Sequence, residues 1–177
     1  MSAYAPRSVI QEIIKNKFVI ALATLIHLLQ HPFGVSSIGA TALYAGANGT
    51  RYFWVAPLIP LTLAALIFGF YEPLVMVFVF GGFALSSFAG KWFLQRKRNY
   101  ARFGGAVATG AIVFYVASNF GIWLAGYYPQ TTAGLVQCYI NGLPFLGQSM
   151  LADAAFSFIL FGAHSALERR QTEAVNA

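Results

Sequence analysis

Apolar residues come in long runs along this chain, separated by short polar stretches. Six runs can be drawn, near residues 17–32, 35–49, 54–71, 73–91, 104–126 and 149–167. A helix needs roughly 20 such residues to cross a bilayer, and fewer where protein shields an irregular segment. The pattern predicts an all-α, polytopic membrane protein with six transmembrane helices. The second run, GVSSIGATALYAGANG, is short and rich in small residues, and reads as a tightly packed helix or as a re-entrant piece. Ahead of the first run, PRSVIQEIIKNKF sets Ile10, Ile13 and Ile14 on one side and Gln11, Glu12 and Lys15 on the other. Residues 1–16 thus suit a helix lying in the interface and starting after Pro6, or a plain extension of the first span. Residues 127–148 carry prolines, glycines and no charge, and predict an extracytoplasmic loop folded over the membrane surface.

Composition sharpens this picture. Of 177 residues, 58% are hydrophobic and only 9% charged, against roughly a quarter charged in soluble domains. Such a chain cannot cover a water-facing surface. No linker, repeat or low-complexity segment divides it, so 1–177 reads as a single transmembrane domain. A net charge of +6 would suggest nucleic acid in a soluble protein. Here the basic residues cluster beside spans and set orientation instead, and no nucleic-acid partner is expected. Arg7, Lys15 and Lys17 precede the first span, Lys91, Arg96, Lys97, Arg98 and Arg102 join the fourth to the fifth, and Arg169 and Arg170 follow the last. Six spans bring all three clusters, and Arg51, to the cytoplasmic side with both termini. The charge-free 127–148 stretch then lies outside.

Ionisable groups inside spans are costly and usually face the protein interior, so each is a functional candidate. On this topology His27 and His31, Asn119 and Trp123, and Asp153 fall in the outer half, beside the stretch that holds Tyr128, Gln137, Cys138 and Tyr139. Together they suggest an outward-opening substrate cavity, mostly apolar with a few orienting polar groups. His164 is expected at the inner interface. Taken singly, each has a structural reading: a helix cap for His31 beside Pro32, a water-interface marker for Glu72, an interhelical bridge for Asn119. His27, His31 and Cys138 could form a soft metal site if they met, although an inert, packed thiol is the simpler reading of Cys138. Ser37, Thr41 and Ala45 share one stripe of the second segment, a close helix contact within the chain or a docking face for a partner. No nucleotide loop, nucleophile elbow or zinc-protease motif occurs, which argues against an enzyme and against ATP hydrolysis by this chain. The cofactor stays unknown.

The stretches HPFGVSSIGATALYAGA, APLIPLTLAALIFGFYEP, NFGIW and YYPQTTAGLVQCYINGLPF, followed by Asp153, resemble an uncharacterised bacterial family of transport proteins, the domain of unknown function 6580. In size and six-helix layout that family is similar to the substrate-binding S-components of energy-coupling-factor vitamin transporters. The resemblance implies a multi-pass protein of the bacterial inner membrane that binds a vitamin-like small molecule from outside. It also implies a transmembrane coupling subunit with ATPases, met through a small-residue face such as Ser37, Thr41 and Ala45. Where relatives carry an acidic residue and a histidine, this chain has Ala65 and Tyr71, so a role for that acid does not carry over. Two other expectations stand beside it: an accessory subunit of a larger respiratory or photosynthetic complex, and a membrane enzyme acting on lipid or using a metal.

Overall fold

The computed structural model describes residues 9–30, 36–49, 52–70 and 72–176. They form six α-helices: α1 (Val9–Gln30), α2 (Ile38–Asn48), α3 (Leu58–Phe68), α4 (Pro73–Leu94), α5 (Tyr100–Ile122) and α6 (Thr132–Asn176), with a 3₁₀ turn at Phe53–Val55 and a π turn at Trp123–Tyr127. No strand occurs among the described residues. Local chemistry sets several of the ends. Glu72 accepts a bond from Val75 N–H at 2.8 Å and Pro73 follows it, a strong start for α4. Asn99 caps α5 through Arg102 N–H at 2.8 Å, and Thr131 caps α6 through Gly134 N–H at 3.1 Å. Gly49 closes α2 in the left-handed region at φ 48°.

Three helical stretches are long and apolar enough to cross a membrane: Pro73–Leu94, Tyr100–Tyr127 and Thr132–Arg170. Two shorter apolar helices, Lys17–Leu29 and Phe53–Phe68, accompany them. The six full spans drawn from the sequence are thus corrected to three, among the described residues. The shortfall has a physical cause. Apolar run three begins in the 3₁₀ turn at Phe53–Val55, and α2 is an 11-residue helix whose residues 38–47 are all buried, so protein shields its polar backbone. Two further expectations change. From Val9 the N-terminal stretch is one continuous helix with the first run, the extension rather than a separate interfacial helix. Residues 127–148 are not a loop: helix resumes at Thr132 and runs unbroken through Pro144. There Pro144 removes the N–H that would bond Ile140 carbonyl, a loss that membrane helices tolerate when neighbours shield it.

Size is distributed inside out. Small residues fill the interior: Ala40, Ala42, Ala89, Ala106 and Ser87 are 0–3% exposed. Large apolar side chains point outward, with Leu66, Val77, Trp92 and Leu151 at 64–76%. Lipid tails are as apolar as leucine, so bulky groups gain nothing by facing inward, while small ones let backbones approach. The crossing of α2 with α4 depends on this. A Cβ at Gly46 would overlap the Ser87 carbonyl, and one at Gly90 would overlap the Leu43 carbonyl. Ser86 links α4 to α5, its hydroxyl donating to Gly110 carbonyl at 2.8 Å as well as to Gly82 at 2.9 Å.

The helices alternate in direction, which gives the bundle two chemically different ends. At one end Arg98, in the short α4–α5 connection, donates to Asn48 at the close of α2 at 3.0 Å. Its guanidinium lies 5.1 Å from the Phe161 ring, and Lys91 sits 4.9 Å over Phe53. At the other end Trp123 Nε1 donates to Pro129 carbonyl at 3.0 Å, and the Gln130 amide donates to the carbonyls of Trp123 and Tyr128. This clip turns the chain from α5 into α6, with Gly126 at φ 85° taking the left-handed step.

Candidate functional site

A cavity of about 380 Å³ opens in the half of the bundle away from the basic connection. The late residues of α1 and α3, the first residues of α2, the first half of α4 and residues 145–153 of α6 all reach it. Asp153, His27, Gly39, Ala65 and Phe83 form its buried floor, and Phe145 and Gln148, both exposed, stand at its mouth. Apart from Ser36 and Ser149, its walls are apolar and aromatic, including Phe80, Phe114, Met76 and Leu61.

Asp153 is the central polar group, 7% exposed on α6. Its position follows from a local deficit. The first turn of α2 is only partly capped locally: Ser36 accepts from Ile38 N–H at 3.2 Å, while Ser37 stands at the N-cap and makes no such bond. Its hydroxyl instead donates to Ala23 carbonyl of α1 at 3.3 Å. The Asp153 carboxylate fills the gap, accepting from Ala40 N–H and lying so close over Gly39 that a Cβ there would overlap both its oxygens. A carboxylate at a helix N-terminus meets free N–H groups and the positive end of the dipole. His27, 5% exposed near the end of α1, lines the same cavity.

The other predicted residues go elsewhere. His31 lies outside the described residues, as does Tyr71. Asn119, Cys138 and Tyr139 join α5 to α6. The Cys138 thiol, 1% exposed, donates to Asn119 carbonyl at 3.3 Å. Asn119 Nδ2 bonds Tyr115 carbonyl at 2.9 Å, and its side chain fills the space that a Cβ at Gly142 would take. Tyr115 and Tyr139 exchange hydroxyl bonds with each other's helix, to Tyr139 carbonyl at 2.5 Å and Val116 carbonyl at 2.9 Å. Trp123 and Tyr128 belong to the clip, and Gln137 is exposed and bonds Asn141 at 2.8 Å. Of the whole 127–145 stretch only Phe145 touches the cavity, so that stretch is not its lid. Ser37, Thr41 and Ala45 are 1%, 0% and 6% exposed. They are internal contacts of α2, not a face open to a partner. His164 is also buried rather than interfacial, sharing a 2.7 Å hydrogen bond with the Tyr44 hydroxyl.

Sequence reasoning missed Ser36, Gln148 and Ser149. Ser149 stands four residues, about one turn, before Asp153 and so shares its side of α6. Its i, i+4 spacing from Asp153 within the sixth run was the signal that could have found it, whereas Gln148 fell in the stretch read as a loop. The aromatic walls carry no local signal, since phenylalanine is common all along this chain. Among the described residues no three His, Cys, Asp or Glu side chains gather as metal ligands, and Cys138 and His27 serve different parts of the bundle.

No curated protein and no solved structure matches the chain, and nothing links it to the S-components of vitamin transporters. Residues 8–175, nearly its whole length, match one family, and the chain belongs to it: the family of unknown function DUF6580.

Proposed function

We propose that this protein is the substrate-binding membrane component of a small-molecule uptake system. The observation that carries the reading is the cavity: about 380 Å³, aromatic-walled, with a buried carboxylate and a histidine at its floor. Small-molecule sites typically measure roughly 300–1,000 Å³ and combine apolar walls with a few orienting polar groups. In this reading α4, α5 and α6 cross the bilayer fully, α1 and α3 make shorter crossings, and α2 completes six passes inside the bundle. Basic residues at Lys91–Arg102 and Arg169–Arg170 hold that end, and both termini, in the bacterial cytoplasm. The cavity, in the opposite half, opens outward. The chain would work with a separate energy-supplying partner, as an S-component-like protein does, and would itself catalyse no reaction.

The test is native mass spectrometry of the protein extracted from its own membrane in mild detergent. A bound small molecule, released as a defined compound on denaturation, is the expected result. Stoichiometric protein partners with no small molecule would replace this reading with an accessory subunit of a larger complex.

A further inference from the structure

The cavity is chemically one-sided. Its one carboxylate, Asp153, lies on the floor, and among the described residues no lysine or arginine lines the wall. The basic side chains described for α4 and its connection lie at the opposite end of the bundle, where Arg98 reaches Asn48 and Lys91 covers Phe53. The remaining polar lining consists of His27 and the uncharged Ser36, Gln148 and Ser149. Ligand heads differ sharply in how they fare in such a place. An anionic head would stand near the Asp153 carboxylate with no lysine or arginine to offset it, and like charges in a poorly hydrated site repel strongly. A wholly apolar ligand would strip water from the carboxylate and give nothing back. A cation gains twice: from the carboxylate, and from the faces of phenylalanine rings, which attract cations once both are out of water.

We propose that the cavity binds organic cations, meaning amines or quaternary ammonium compounds on an apolar body, with Asp153 as the counter-charge. The proposal rests on the small-molecule-binder reading and adds to it the class of ligand. The Asp153 carboxylate already accepts from Ala40 N–H, which holds it in place before any ligand arrives, and preorganisation reduces the cost of binding. The aromatic walls supply the contact for the body of the ligand.

The experiment measures ligand-induced shifts in thermal unfolding, and dissociation constants, for the purified full-length chain in nanodiscs. The compounds are matched trios, each a cationic, an anionic and a neutral head on the same phenyl, indole or straight-chain body. Cations alone should stabilise the protein. Asp153→Asn should weaken their binding at least ten-fold. Because that substitution also touches the cap of α2, Ser149→Lys serves as a second variant. It places a fixed positive charge on the wall, leaves Asp153 intact, and should abolish cation binding. Stabilisation by anionic or neutral members instead, or cation binding unchanged in both variants, would overturn the ligand class while leaving a binder. No shift from any compound, together with no small molecule on the protein from its own membrane, would overturn both readings.

Discussion

Single side chains in this bundle do their work through hydrogen bonds to neighbouring helices, and their removal has readable costs. Tyr44, 1% exposed on α2, shares its hydroxyl with His164 of α6, whose other ring nitrogen lies 3.4 Å from Glu168. Tyr44→Phe keeps the ring and deletes that bond, so it should destabilise the fold by about 1 kcal/mol. A lower unfolding midpoint in detergent checks it, and an unchanged midpoint would count against the bond. Cys138 should resist maleimide in the folded protein and react fully after denaturation, because helix α6 buries it against Asn119. At this scale the sequence was informative about rarity more than role. Asp153 and His27 were singled out as polar groups in apolar runs, and they do meet in one cavity. Asn119 was singled out on the same grounds, and Cys138 as a lone thiol in a predicted loop; the Cys138 thiol bonds the Asn119 carbonyl across α5 and α6, and the Asn119 amide bonds Tyr115 carbonyl. Rarity in an apolar span marks a buried polar group, and either a ligand or a backbone carbonyl can be what satisfies it.

Among the elements, α2 is the most demanding. It lies against α4 at the distance of backbone contact, because Gly46 and Gly90 face each other's helices. Gly90→Leu should push the two apart and cost about 3 kcal/mol or more, by overpacking. Gly81→Leu, on the same helix where a Cβ would meet nothing within 4 Å, should cost little. Size-exclusion profiles and unfolding midpoints of the two variants separate the effects, and equal behaviour would refute the close crossing. The small residues of this segment made its packing legible in advance, as one of two open readings. The α6 start was not legible. Pro129, Gly134, Gly142 and Pro144 read as turn formers, and three of them proved otherwise. Gly134 and Gly142 admit close neighbours, the Pro129 carbonyl and Asn119, and Pro144 sits inside the helix. A residue that permits a turn also permits a near approach, and only the neighbouring helix decides which.

For the molecule as a whole, the proposed topology makes a direct prediction. In a Cys138→Ala background, Lys97→Cys should be labelled by a membrane-impermeant maleimide only from the cytoplasmic side, and Gln130→Cys only from outside. Reversed labelling would turn the cavity toward the cytoplasm. The short, buried α2 also has a consequence for how the protein is made. Its main neighbours are α4 and α6, both synthesised later. With 11 residues it is too short to sit alone in a bilayer, so the second helix to leave the ribosome has no finished environment until the last one arrives. A ribosome-stalled chain ending before residue 132 should therefore leave α2 open to protease, whereas the complete chain protects it. Biogenesis would close on the cavity last, since Asp153, which caps α2, comes with that final helix.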